Sequence, residues 1–212
     1  MAKRHERSAA QLRRRGPQRE PYLTVLIVCE GERTEVEYLK GLCRAHRLSS
    51  ANITVVGRGT DPVSVVRFAI EKAQREGGWD RVYCVFDRDR HANYARAIEN
   101  LNRADLGGTQ FQGGITNPCF EFWILLHFEY TARPYRGAGR RSPCDIVIAD
   151  LKRHLPNYEK NDEGLFTRLE PRVQDAIRHA ERLVEHNRQT GSDNPATSVH
   201  GLVRLLIDLK PS

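Results

Sequence analysis

Three acids in this sequence stand where short apolar runs end. Glu30 follows residues 24–29 (TVLIVC), and Asp87 and Asp89 follow residues 81–86 (RVYCVF). If the two runs are neighbouring strands, three carboxylates converge. Like charges at that range raise one another's pKa and are unfavourable unless a cation sits among them. Hard oxygen ligands select Mg2+, with Mn2+ as a substitute. The natural use of such a site is phosphodiester chemistry, in which the metal stabilises developing charge and generates the nucleophile. In that reading Asp87 and Asp89 hold the metal. Glu30 serves as metal ligand or as the group that activates water or protonates the leaving oxygen.

A fourth acid, Glu121, is the only one in the apolar stretch 119–128 (CFEFWILLHF). A helix apolar all round is buried, and a buried carboxylate must be paired, hydrogen-bonded or metal-bound. Glu121 is therefore expected either to join the metal cluster, the preferred reading, or to meet a basic residue from the C-terminal helices or backbone amides. His127 on the same stretch reads as a hydrogen-bonded core histidine. Arg33, Arg58, Arg88 and Lys160 are candidate phosphate contacts. Two other readings weaken. Asp87-Arg88-Asp89 resembles the nucleophile loop of haloacid-dehalogenase phosphatases, but His91 stands where a small hydroxyl or branched residue belongs. Gly57-Arg58-Gly59 lacks the third glycine and the lysine of a nucleotide-phosphate loop.

The elements that must position these groups alternate. Strands are expected over 24–29, 53–56, 81–86 and, less regularly, 110–116. Helices are expected over 34–48, from Asp61-Pro62 to the Gly77-Gly78 stop, and over 92–104, 119–128, 144–154, 171–189 and 195–209. Asn117-Pro118 and Asn194-Pro195 read as helix starts, with a polar cap followed by proline at the first helical position. Such alternation demands right-handed crossovers and a mostly parallel sheet, here of four strands, flanked by helices and followed by helical C-terminal additions. Sites in such sheets lie at the carboxyl ends of the strands, where Glu30 and Asp87 stand.

Composition sets the frame. Two hundred and twelve residues suit one domain, expected over 21–212, with a core over about 21–128 and a helical part over about 129–212. Residues 1–20 hold seven cations against two anions, so +5 of the net +7 belongs to a basic tail expected to be disordered and to attract phosphate. No apolar run reaches the roughly 18 residues of a membrane span, and no signal peptide is evident, so the cytoplasm is expected. Five cysteines without CxxC spacing read as structural filler rather than as zinc ligands.

Several segments in order resemble the RloB-like family of prokaryotic abortive-infection and phage-defence proteins. They are Cys29-Glu30-Gly31-Glu32-Arg33-Thr34-Glu35, Gly59-Thr60-Asp61-Pro62, Phe86-Asp87-Arg88-Asp89, Asn117-Pro118-Cys119-Phe120-Glu121-Phe122-Trp123 and Asn194-Pro195-Ala196-Thr197. That family is similar to the Toprim fold shared by topoisomerases, primases and the OLD nucleases. The resemblance implies a Toprim-like α/β core, magnesium on Asp87 and Asp89, a role for Glu30 in proton transfer or metal binding, and an ATPase partner encoded nearby. OLD nucleases carry an acid-Gly-x-Thr-Glu stretch. Here it is one residue longer, which leaves Glu35 without an assigned role. The combined expectation is a magnesium-dependent endonuclease acting on DNA or RNA in defence. Its alternative is a non-catalytic adaptor that binds nucleic acid or the partner ATPase.

Overall fold

The computed structural model describes residues 23–49, 52–88 and 93–209. The basic tail and Asp89 lie outside the described residues. Strand β1 (Val25–Cys29) leads through helix α1 (Thr34–Ala45) to β2 (Ile53–Gly57). Helix α2 (Pro62–Glu76) then leads to β3 (Arg81–Asp87), and α3 (Tyr94–Arg103) to β4 (Gln110–Asn117). These four strands run parallel. Beyond them come α4 (Phe120–Leu125), α5 (Pro143–His154), the short α6 (Leu165–Leu169), α7 (Val173–Thr190), β5 (Ala196–Thr197) and α8 (Val199–Asp208). The sheet order is β2-β1-β3-β4-β5, with β5 antiparallel to β4.

The apolar run of β1 exists because both faces of the sheet are covered. Val25, Ile27 and Cys29 point into a large core with α1 and α4–α8, whereas Leu26 and Val28 point into a smaller one with α2 and α3. β3 divides likewise: Tyr83 and Val85 face the first core, and Val82, Cys84 and Phe86 the second. Asp61 caps α2 as its sequence suggests, its carboxylate accepting from the Val63 and Ser64 amides at 3.1 and 3.3 Å. Ser142 and Asp145 form a reciprocal capping box on α5.

The structure corrects three expectations. The sheet has five strands. The fifth follows Pro195, so the last helix begins at Val199 and not at Asn194-Pro195. Pro118 likewise stands outside α4, whose cap is Cys119. Both prolines follow cis peptide bonds, and the caps fall on Cys119 and Ser198 instead. Finally, Cys119 and Cys144 are not filler but are bonded to each other, joining the start of α4 to the first turn of α5. Cys29 and Cys84 are buried and free, as a small hydrophobe would be.

Candidate metal and phosphate site

The sheet order sets the site. From β1 the chain steps to β2 on one side, then crosses back to β3 on the other, so β1 and β3 are neighbours at a reversal of winding. A crevice opens outside their carboxyl ends, where ligands bind in such sheets. Cys29 pairs with Val85, and the next residue, Glu30, donates its amide to the Val85 carbonyl at 2.8 Å. The Glu30 carboxylate in turn accepts the Asp87 amide at 3.0 Å. The two acids singled out by their strands are thus locked side by side.

Two further acids join them. A cavity of about 330 Å³ beside these strand ends is lined by Gly31, Arg33, Glu35, Asp87, Glu121 and Lys160, among others. Glu35 comes from the first turn of α1 and folds back over Gly31. A Cβ on that glycine would meet the Glu35 carboxylate at 2.1 Å, so a side chain there would displace this carboxylate. Glu121 comes from the first turn of α4, where the Phe120 amide also bonds the Asp87 carboxylate. Burial, then Glu35, Glu121 and Glu30, hold the Asp87 carboxyl well above the usual carboxylate range. Burial, and after it Glu121 and Glu30, push Glu35 up to about 7. These carboxylates do not form a set within 4.8 Å of one another. Among the described residues that closeness is met by Cys119, Glu121 and Cys144.

Glu121, 3% exposed, has the partners that a buried carboxylate requires. One oxygen accepts from the Tyr158 hydroxyl at 3.2 Å and meets Lys160 Nζ at 3.3 Å. The other lies 3.5 Å from Cys144 Sγ. Thr34 fixes the Lys160 segment by donating to its carbonyl at 2.7 Å. Burial pulls the Lys160 ammonium down, but Glu121, Glu35 and Asp87 outweigh it and leave it raised. Lys160, in the turn between α5 and α6 and not on a helix, is therefore a basic partner of Glu121, the alternative to the preferred metal reading, and a cation facing the acid cavity.

The other predicted contacts are dispersed. Arg33 lines the cavity. Arg58 lies over the Phe68 ring, 4.1 Å from its centroid. Arg88 pairs with Asp193 and faces a separate cavity with Tyr94 and Asn117. His127 is a core residue. Its Nδ1 faces the Trp123 and Ile124 carbonyls at 3.1 and 3.2 Å, so its Nε2 accepts from Tyr38 at 3.1 Å. Burial lowers His127 to about 4, so the ring is neutral at pH 7. Glu35, Tyr158 and the cysteine pair are what sequence reasoning missed. The acid-Gly-x-Thr-Glu likeness was the available signal for Glu35.

The ion pair can be tested through stability. A fully buried pair broken on one side loses about 3–5 kcal/mol. Lys160 has a side chain 62% exposed, which reduces that figure. Lys160→Met should therefore lose about 2 kcal/mol in urea denaturation, because it leaves Glu121 with only Tyr158. Glu121→Gln leaves a solvated lysine and relieves repulsion on Asp87, so it should stay within about 1 kcal/mol of wild type. The reverse order of stabilities would contradict this assignment.

These observations define an α/β protein with a five-stranded, mostly parallel sheet and an acid-lined crevice at its winding reversal. Residues 25–206 match the family model described as RloB-like protein, and the chain belongs to that family. No curated protein and no solved structure matches it. No helix among the described residues is long and apolar enough to cross a membrane.

Proposed function

We propose that this chain is a Toprim-type nuclease that cleaves nucleic-acid phosphodiesters with magnesium, as the effector of a prokaryotic anti-phage defence system with an ATPase partner. The observation that carries the reading is the gathering of Glu30, Glu35, Asp87 and Glu121 at the ends of β1 and β3 and the start of α4. Carboxylates crowded in one crevice raise one another's pKa and favour a cation among them, and the likeness to the RloB-like family supports a defence context.

The donor set fits the ion. It is all oxygen and strongly acidic, which suits magnesium or manganese. Bound there, the ion would supply charge stabilisation at the scissile phosphate and an activated water. Asp87, with Asp89 two residues on, would hold it. Glu30, kept in place by the Asp87 amide, would take or give the proton. Lys160 and Arg33 at the cavity present cations to a phosphate, and the basic tail adds unspecific attraction.

The test is cleavage of supercoiled DNA, linear DNA and RNA by the full chain with its ATPase partner, in Mg2+, Mn2+ or EDTA. Cleavage should require the cation and be lost in Glu30→Gln. Binding without cutting, unchanged by EDTA, would favour the adaptor.

A further inference from the structure

Beside the acid crevice lies a second ligand set of a different chemical kind. Cys119 caps α4 without using its side chain as a cap, and Cys144 stands in the first turn of α5. Their Cα atoms are 5.8 Å apart. Together with a Glu121 oxygen, the two sulfurs form a group within 4.8 Å. We propose that Cys119, Cys144 and Glu121 bind a thiophilic divalent cation of the zinc class when the cysteine pair is reduced, and that the disulfide is the cation-free state of this site.

The geometry supports a shared ion. Tetrahedral zinc, with Zn–S near 2.3 Å and Zn–O near 2.1 Å, sets its ligand atoms roughly 3.5–3.8 Å apart. Cys144 Sγ and the facing Glu121 oxygen are 3.5 Å apart. The Cα spacing lets both sulfurs reach one ion. The carboxylate is already oriented, because its other oxygen is taken by Tyr158 and Lys160, and ligating carboxylates are held by such partners. Two thiolates and one carboxylate leave a fourth tetrahedral position, as in zinc sites that keep a water. Soft sulfur separates this site from the all-oxygen crevice, which suits harder ions.

Entry into the metal state is balanced. Two equivalents of a low-molecular-weight thiol reduce the disulfide, giving two protein thiols and one small disulfide. Binding then releases two protons as the thiols become thiolate ligands. Cation and disulfide exclude each other because oxidation consumes the thiolates that would bind the ion, so cation occupancy follows the thiol balance.

Cobalt(II) is a suitable probe, since cobalt thiolates absorb strongly in the near ultraviolet and carboxylate-bound cobalt does not. The full chain is titrated with cobalt in excess Mg2+, once after reduction by a phosphine and once after oxidation by oxidised glutathione. One equivalent should bind to the reduced protein with the thiolate band, and none to the oxidised protein. Cys144→Ser and Cys119→Ser should weaken binding at least tenfold and lose most of the band, whereas Cys43→Ser should leave it unchanged. Glu121→Gln should weaken affinity tenfold or more while keeping the band. No thiolate band in reduced wild type, an intact band in Cys144→Ser, or loss of near-ultraviolet circular dichroism on reduction would each overturn the proposal. None of these readouts depends on nuclease activity.

Discussion

Asp87→Asn is expected to raise the melting temperature of the metal-free protein and to remove its metal-dependent cleavage. The two effects have one origin. Asp87 is held against its ionised form by burial and by Glu35, Glu121 and Glu30, so a neutral isostere relieves the apo state. An asparagine oxygen can still accept the Phe120 amide, and the backbone bond to Glu30 is untouched. The same change deletes a charged donor from the proposed cation site. Loss of several kcal/mol of transition-state stabilisation corresponds to a fall of roughly 10³-fold or more in rate. Calorimetry with manganese and single-turnover cleavage measure the two halves. A destabilised variant that still cleaves would remove Asp87 from the site.

The second large effect is on pH. Glu35 has its carboxyl raised from 4.5 to about 7 in the folded, metal-free protein. Between those values the folded state binds more protons than the unfolded chain, so stability falls as pH rises through the window. The contribution is complete below about 4.5 and lost above about 7. It amounts to about 3 kcal/mol if the whole shift acts on folding. Asp87 shifts in the same direction and adds to the slope. Asp61, which hydrogen bonds from Ser64 and Val63 hold below its ordinary 3.8, acts below this window and leaves the slope unopposed by that group. Comparison with Glu35→Gln isolates the contribution: the variant should lack this segment of the pH dependence. Magnesium, by offsetting the repulsion, should stabilise wild type more at pH 8 than at pH 5.5. Equal magnesium stabilisation at both values would mean that the ion does not meet this carboxylate.

Much of this arrangement was legible because burial leaves a compositional trace. The run 25–29 is apolar at every position, since both faces of β1 are covered, and the same holds for most of β3. The acids that follow are conspicuous against that background. The exceptions have physical reasons. β5 is two residues long and rests on side-chain contacts no periodicity records: Ser198 Oγ accepts the Ile115 amide and donates to the Gly113 carbonyl, both at 2.8 Å. The pairing of Cys119 with Cys144 spans 25 residues and depends on how α4 and α5 pack. Lys160 was one of four candidate phosphate contacts, but its pairing with Glu121 was not legible. Its position depends on Thr34, 126 residues earlier, holding its backbone.

The Ser198 junction also bears on how the chain is made. β4 is left with an open edge until Ala196–Thr197 pairs with it and Ser198 bonds Gly113 and Ile115. The larger face of the sheet waits as well, for α7 and α8 supply Ala176, Leu183, Leu202 and Leu206 to its core. During synthesis from the N-terminus, a nascent chain through β4 therefore exposes an unpaired strand beside an uncovered apolar face for more than 80 residues of elongation. At about 5–20 residues per second that is an interval of several seconds or more, open to wrong pairings. Ribosome-bound fragments that carry residue 117 just beyond the exit tunnel should be bound by chaperones, and those carrying residue 208 beyond it should be released.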